Sequence, residues 1–570
     1  MFLGLNGFSH DAAAALVDAE GRIIAAVEEE RFTRNKKEDR LPIDSIRYCL
    51  RKGNVSLRDL SGIGYAWHPR LLLLQRVLWS NLLDYPAPPR AIYRNIRKAA
   101  RGLRLLARLQ EEFGPARKGL RVTYFKHHTA HAASAFFASP FEESAFLTID
   151  GRGEIETLTW GQARNTEIYQ RGATYHPNSL GNLYSAIARF CGFFGWEKDG
   201  TIMALAACGE PVFQKEFREL IRIDTAGPTN WFELNRNYFD CTTGDGFPRP
   251  SLERLFGVKM RRPGEELREE YKHIAATLQH VTQEAIIGFC SRVYELTKSP
   301  RLVMAGGVAL NSVTNGMILE RTPFKELFIQ PAAHDGGLAL GCAYLLAHQK
   351  RSTKSSFSMM TASLGPEFSV ITVKQALKSN PQLIWKEQID LAHTVARLLA
   401  AGQKIAWFQG RLEYGPRALG NRSILADARS PKVQSELNII KGREPFRPFA
   451  ISILEEEKGR WLCHATTSPF MLLIDSVRTS LQQEVPGALH VDGSVRVQTV
   501  SRTKDPLYHR LIEEFFKITG VPLLINTSLN LRGEPIVCTP NEALKVLEVT
   551  ELDALAIGPF LVKLKNREKD

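Results

Sequence analysis

The chain has 570 residues, a formal net charge of +13 at pH 7, 44% apolar and 24% charged side chains. That length exceeds one hydrophobic core and predicts roughly two to four folding units, and the composition is that of a globular protein, not a disordered or collagenous one. The eight cysteines (Cys49, Cys191, Cys208, Cys241, Cys290, Cys342, Cys463 and Cys538) form no C-x-x-C pair, which argues against structural zinc and a disulfide framework and fits a reducing cytoplasm.

Met1 leads straight into an apolar strand, so no signal peptide is read. The most apolar stretch, Leu71 to Leu83, is broken by Gln75 and Arg76 and falls short of the ~20 residues of a membrane span. No membrane partner is expected. The positive charge calls for anionic partners, with ATP and phosphate substrates ahead of nucleic acid.

Strands are predicted at Phe2–Asn6, Ala12–Val17 and Ile23–Val27, the last two joined by the turn 18–22. The pattern returns at Ala145–Ile149, Thr157–Ala163 and Glu167–Tyr169, with Asp150-Gly151 closing the first strand. Such a duplication is the plan of the actin-like ATPases, in which two turns embrace the phosphates of ATP. Between the two sets, 70–118 carries eleven Lys/Arg against three Asp/Glu, and Arg90, Arg94, Arg97, Arg101, Arg104 and Arg108 follow helical spacing. Two readings stay open: a solvated face on a surface insertion, or recognition of an anionic substrate or partner. Residues 258–299 are helical in pattern, and Leu302–Ala305 is a short strand. The serine-rich stretch 351–362 reads as a linker, dividing domains at 1–350 and 363–570.

Two constellations carry chemistry. In the first, His127 and His131 stand at i and i+4, which puts both imidazoles on one helix face, with His128 about 100° away. Asp150 and Asp335 each sit beside a glycine turn. Two imidazoles and two carboxylates suit Fe(II), Mn(II) or Zn(II) better than Mg(II) or Ca(II). The glycine turns at Gly7, Gly151, Gly153, Gly306 and Gly307, with Asp11 and Asn311 beside them, are candidates to present the chain to a nucleotide. The second constellation is 408–423, where Arg411, Arg417 and Arg422 alternate with Gly410, Gly415 and Gly420, followed by Lys441, Arg443 and Arg447 between stiffening prolines. Guanidinium forks bind phosphate and carboxylate bidentately, and glycines let the loop close around them.

Leu3-Gly-Leu-Asn-Gly7, His10-Asp-Ala-Ala-Ala14, Glu28-Glu-Glu-Arg-Phe-Thr-Arg34, His127-His-Thr-Ala-His131 and Gly306-Gly-Val-Ala-Leu-Asn311 resemble the NodU/CmcH/TobZ carbamoyltransferase family over essentially the whole chain. The resemblance implies a duplicated actin-like (RNase H-like) α/β domain followed by a YrdC-like α+β domain. It implies that His127, His131, Asp150 and Asp335 hold the metal. It also implies that Arg417, Asn421, Arg422, Lys441, Arg443, Arg447, Arg496, Asn526 and Ser528 hold carbamoyl phosphate and ATP, with Mg(II) accompanying the ATP. Carbamoyl-adenylate would form in the C-terminal domain, pass inside the protein to the N-terminal one, and yield its carbamoyl group to a hydroxyl of a small-molecule acceptor, with His10 as base. Family members modify antibiotics, nodulation oligosaccharides and other secondary metabolites. One departure is Gly200-Thr-Ile-Met-Ala-Leu-Ala-Ala-Cys-Gly209, where Ala204 and Ala207-Cys208 replace the glycine and proline-tyrosine typical of the family, which puts the acceptor in doubt. The competing readings are a fused tRNA threonylcarbamoyl-adenosine synthase, a hydrogenase-maturation carbamoyltransferase (disfavoured by the missing C-x-x-C pairs) and a non-enzymatic ATP-binding scaffold.

Overall fold

The computed structural model describes residues 1–74, 89–240, 247–349 and 351–567. Cys241 and residues 75–88 of the basic segment lie outside them. The chain forms two compact units: Met1–Glu30 with Lys37–Met359, and Arg31–Lys36 with Met360–Asp570.

The first unit holds two sheets built alike. In one, β1 (Phe2–Asn6), β2 (Ala13–Val17), β3 (Ile23–Glu28), β4 (Gly62–Tyr65) and β5 (Val122–Tyr124) lie in the order β3-β2-β1-β4-β5. In the other, β6 (Glu143–Ile149), β7 (Glu156–Arg164), β8 (Glu167–Tyr175), β9 (Arg301–Ala305) and β10 (Glu326–Ile329) lie in the order β8-β7-β6-β9-β10. Each starts as an antiparallel three-strand meander and continues from its first strand through two parallel strands. This is the duplicated α/β plan expected of an actin-like ATPase. β1, β2 and β6 are buried along nearly their whole length, as strands covered on both faces must be.

Five helices matter below: α1 (Pro89–Leu103), α2 (Leu105–Phe113), α3 (His127–Phe136), α4 (Glu269–Thr297) and α5 (Leu338–His348). Over residues 89–113 the basic segment forms two helices, broken at Arg104. The helical stretch 258–299 starts only at Glu269, since Pro263-Gly264 stops it earlier. α5 packs on both β1 and α3. The approach to α3 is close enough that a Cβ on Gly341 would overlap the Ala130 carbonyl.

The second unit is one nine-stranded mixed sheet. In chain order its strands are β11 (Leu383–Glu387), β12 (Ile405–Phe408), β13 (Arg422–Ala426), β14 (Ala450–Leu454), β15 (Leu473–Ser476), β16 (Ser494–Val500), β17 (Leu523–Ser528), β18 (Ala554–Ile557) and β19 (Phe560–Leu564). They are arranged β11-β19-β18-β12-β13-β17-β14-β16-β15 around a core that includes Trp407, Ile451, Leu511 and Phe515.

Two features depart from the sequence reading. Residues 351–355 are not a loose tether: Arg351 donates to the Ala19 carbonyl, Lys354 to those of Ser139 and Phe141, and Ser355 to that of Glu20. And the Glu28–Arg34 motif is divided. Glu28–Glu30 belong to the first unit, while Arg31 donates to the Gly415 carbonyl (2.8 Å) and Arg34 to those of Pro535 and Ile536 in the second. Among the described residues, no helix is long and apolar enough to cross a membrane.

Candidate metal centre and anion site

α3 is small and apolar apart from its histidines, so it buries almost entirely. The i, i+4 spacing brings the Nε2 atoms of His127 and His131 to 3.0 Å. Asp150, at the end of β6, places Oδ2 3.1 Å from His127 Nε2 and 3.9 Å from His131 Nε2. Asp335, in the turn before α5, places Oδ1 3.5 Å from both. One donor atom from each of these four buried residues lies within 4.8 Å of the other three.

The donor set fits a transition metal. Atoms bound to one zinc-like ion at about 2.0–2.2 Å stand roughly 3–3.5 Å apart, which is close to the spacing here. Asp335 Oδ1 is also buried without a hydrogen-bond donor, a costly arrangement that a cation at the centre relieves. Burial alone would push Asp150 upward, yet the hydrogen bond from His127 and the charges of His131 and His127 hold it well below the usual carboxylate range. Asp335 is likewise lowered against its burial, by His127 and then His10.

His128 stands apart, as its 100° offset predicts. Nδ1 meets the Thr148 hydroxyl at 2.7 Å and Nε2 the Glu156 carbonyl at 3.0 Å. Burial, then His127 and His131, push its pKa down to about 3, so it is a neutral strut.

The glycine turns are tied into the fold around this centre. Gly307 N donates to Asp150 Oδ1, Gly306 N to the Ala333 carbonyl and Gly153 N to the Glu156 carbonyl, so those amides are unavailable to a nucleotide. Gly306 has φ +92°, and a Cβ there would overlap the Ile149 carbonyl. The carbonyls of Gly7 and Gly151 accept from Tyr65 and Ser179. Asn311 caps the helix Ser312–Arg321 through Thr314 N and pairs with Gln279. Asp11 is buried in an ion pair with Lys37 (3.0 Å) and beside His10 Nδ1 (2.8 Å), so it too is an internal group.

His10 sits at the exposed rim, 3.8 Å from Asp335. Desolvation opposes its charge, but Asp335 and Asp11 outweigh it and raise the pKa. Sequence reasoning missed Lys37, whose signal was an isolated Lys36-Lys37 pair after the Glu28–Arg34 motif. It also missed Trp67, whose ring lies tilted 4.5 Å from that of His127 and whose indole N–H donates to Asn6, and Glu154, which accepts from the His127 and His68 amides. Of the departure segment, Ala204 lies buried on the helix Lys198–Ala206, which packs on α4.

In the second unit the arginines separate into two kinds. Arg422 is fully buried; Nη1 donates to the carbonyls of Gln409 (2.6 Å), Asn421 (3.1 Å) and Gly410 (3.2 Å), Nη2 to that of Pro366, and the guanidinium lies 3.6 Å over Phe408. Arg411 is tied to the Leu364 and Gly365 carbonyls, and Asn421 to Ser363 and the Arg411 carbonyl. Buried Glu413 closes the loop by accepting from the amides of Leu419, Asn421 and Arg422. Lys441 spends its ammonium on Ser528 and Asn530, and the Ser528 hydroxyl is turned to Asn530. Arg422, Asn421, Lys441 and Ser528 therefore hold the loops in place.

Arg417, Arg443, Arg447 and Arg496 are different. Burial and then repulsion from the other three push Arg496 well below its ordinary value, and burial with Arg447 pushes Arg417 down to about 10. The Nε atoms of Arg417 and Arg496, like that of Arg422, are buried without an acceptor, so it is the crowding of guanidinium on guanidinium that sets this group apart. Arg443 lies over Phe449 and donates to Asn438, and Arg447 is 3.8 Å from Glu444. Register puts Arg496, Ala450 and Asn526 in one row across β16, β14 and β17, hence on one face, and Asn526 Oδ1 also lacks a donor. Like charges crowded together with orphaned donors are the chemistry that an anion would relieve.

The sequence matches the carbamoyltransferase N-terminus over residues 1–70 and 92–344 and the carbamoyltransferase C-terminus over 396–564. The chain belongs to the carbamoyltransferase family. Its His127/His131/Asp150/Asp335 cluster lies in the N-terminal region and its arginine cluster in the C-terminal one. Similar relatives include an uncharacterised protein of Synechocystis sp. (37% identical over 98% of this chain and 96% of that one) and the nodulation protein NolNO of Sinorhizobium fredii (35%; 98% and 79%). Nodulation protein U of Sinorhizobium fredii is 28% identical over 92% of this chain and 93% of its own. Among solved structures, HypF of T. kodakarensis is similar at 13% identity over 63% of this chain and 49% of that chain, with a TM-score of 0.33; the fold assignment rests on the strand orders instead.

Proposed function

We propose that this carbamoyltransferase is ATP-dependent and O-directed: the second unit, acting as a YrdC-like domain, makes carbamoyl-adenylate from carbamoyl phosphate and ATP, and the first passes the carbamoyl group to a hydroxyl of a small-molecule acceptor. The observation that carries this is the pairing of two sites of opposite character, a buried imidazole–carboxylate cluster in one unit and a cluster of crowded arginines in the other. The setting proposed is a reducing cytoplasm, in keeping with the free cysteines described.

In the first step water releases carbamate and phosphate from carbamoyl phosphate; a carbamate oxygen then attacks the α-phosphorus of ATP, and pyrophosphate leaves. The two substrates together bring about six negative charges, whose mutual repulsion amounts to several kcal/mol unless cations meet it. Arg417, Arg443, Arg447 and Arg496 meet it, with Mg(II) on the ATP, and Asn526 Oδ1 is placed to accept from the carbamoyl amide. In the second step the acceptor oxygen bonds to the carbamoyl carbon, the bond to AMP breaks, and the hydroxyl proton passes to a base. His127, His131, Asp150 and Asp335 would hold a divalent ion whose chemistry is Lewis-acid polarisation of the carbamoyl group. Asp11 fixes His10 Nδ1 and Lys37 fixes Asp11, which leaves Nε2 of His10 to take the proton.

The test is pyrophosphate release from ATP with and without carbamoyl phosphate, in the wild type and in His131→Ala. Release should require carbamoyl phosphate and survive the substitution, while carbamoyl transfer disappears. Release that ignores carbamoyl phosphate refutes the first step; equal loss of both activities in the variant refutes the division of labour.

A further inference from the structure

The function above makes no use of the outer surface of α1 and α2. From Pro89 to Gln110 the chain has seven basic residues and no acidic one. Only Lys98 among the seven turns inward; Arg90, Arg94, Arg97, Arg101, Arg104 and Arg108 are exposed. A helix that only had to cover the core would put its apolar residues inward and leave polar ones outside. α1 does not: its buried face is Asn95, Lys98, Ala99 and Gly102, while Tyr93, Ile96 and Leu103 are 62%, 46% and 55% exposed.

The wheel sharpens the pattern. At ~100° per residue, Leu103, Ile96, Ala100 and Tyr93 form one continuous outward stripe, and Arg104, Arg97, Arg90 and Arg101 form a second stripe along its edge. The sequence alone suggested no membrane partner, because no segment spans. A helix lying in the surface plane of a bilayer needs no span; it needs an outward apolar stripe edged by cations whose stems reach up to phosphate. A nucleic-acid backbone would satisfy the arginines but leave Ile96 and Leu103 in water.

We propose that α1 docks this protein on a bilayer containing anionic phospholipid, with Tyr93, Ile96 and Leu103 in the headgroup–acyl boundary and Arg90, Arg97 and Arg104 on lipid phosphates. The helix that docks also backs the metal centre: Lys98 Nζ lies 3.1 Å over the Trp67 ring, and that ring is 4.5 Å from His127. An acceptor carried in the same bilayer would thus be met at the docking surface. That consequence rests on the proposed function, whereas the docking does not.

The experiment is co-sedimentation of the full chain with vesicles of phosphatidylcholine alone or with roughly one third phosphatidylglycerol, over a salt series. Binding should be at least about tenfold stronger to the anionic vesicles. Arg90→Gln/Arg97→Gln should weaken it about tenfold or more and flatten its salt dependence. Ile96→Gln/Leu103→Gln should weaken it about tenfold and leave the salt slope unchanged. Carbamoyl-phosphate-dependent pyrophosphate release by both variants should match the wild type, showing that they fold. No binding overturns the proposal. So does binding that ignores Ile96 and Leu103, which would be mere adsorption by a +13 protein. A duplex RNA that binds through the same arginines and displaces the vesicles, with Ile96 and Leu103 again indifferent, overturns it in favour of nucleic acid.

Discussion

Arg422 and Arg496, 74 positions apart, should respond oppositely to the same substitution. Arg422 gives hydrogen bonds to four carbonyl oxygens and stacks on Phe408, so Arg422→Met leaves those oxygens short of donors inside the core. Charged hydrogen bonds are worth about 1.5–3 kcal/mol each, and the desolvation that the methionine spares returns part of that. The net loss should be about 3–5 kcal/mol, which for a unit of this size lowers the melting temperature by roughly 10 °C. Arg496 has an orphaned Nε and faces three other arginines, so Arg496→Met removes repulsion and a poorly solvated charge. Its stability should hold or rise by about 1–3 kcal/mol. Carbamoyl-phosphate-dependent pyrophosphate release, however, should fall about 100-fold or more, as when one preorganised charge donor is lost. Thermal unfolding followed alongside pyrophosphate release separates the two arginines. If Arg496→Met melts as early as Arg422→Met, Arg496 is a structural residue; if it releases pyrophosphate at the wild-type rate, the cluster does not receive the substrates.

A chelator selective for transition metals, in a buffer with excess Mg(II), should abolish carbamoyl transfer and spare pyrophosphate release, with recovery on adding Fe(II), Mn(II) or Zn(II) but not on adding more Mg(II); recovery with Mg(II) would overturn the donor-set argument. Gly306→Ala should cost about 1–3 kcal/mol through its φ of +92° and shift Gly307 away from Asp150, read as a lower melting temperature together with loss of bound metal by atomic absorption. His348 is neutral in the fold, between the Tyr344 carbonyl and the Ser355 amide and stacked on Phe137, and burial lowers its pKa from 6.5 to about 4. Above pH 6.5 neither state protonates it. As pH falls from 6.5 to 4 the unfolded chain takes up a proton that the folded one refuses, so stability should drop by about 3 kcal/mol, and His348→Gln should remove that part of the acid slope in urea melts.

The local periodicities were readable in the chain. β1 runs over the very residues predicted, β6 and β7 to within two residues, and the repeated meander reappears as two sheets of identical strand order. The His127/His131 pair was legible because helical geometry turns four residues of spacing into one face, and it fixed where His128 could not point. The roles of the arginines were not legible. Arg417, Arg422 and Arg496 look alike as letters, and what divides them is whether carbonyls or other arginines surround each guanidinium. Asn311 read as part of a glycine-rich nucleotide turn because a helix cap and a ligand contact share the same residue types. The Glu28–Arg34 motif read as one unit because nothing in seven consecutive residues tells which of two cores each side chain joins.

By itself, then, the sequence determined the helical face shared by His127 and His131, the presence of an arginine-rich loop and the duplication, since each depends on spacing along a helix or strand. Only the tertiary structure decided which donors remain free for a ligand. It closed the amides of Gly153, Gly306 and Gly307 and the ammonium of Lys441 within the fold, and left Arg417 and Arg496 unsatisfied. It also turned Ile96 and Leu103 outward. The reason is that satisfaction of a polar group, and exposure of an apolar one, are properties of neighbours brought in from distant parts of the chain.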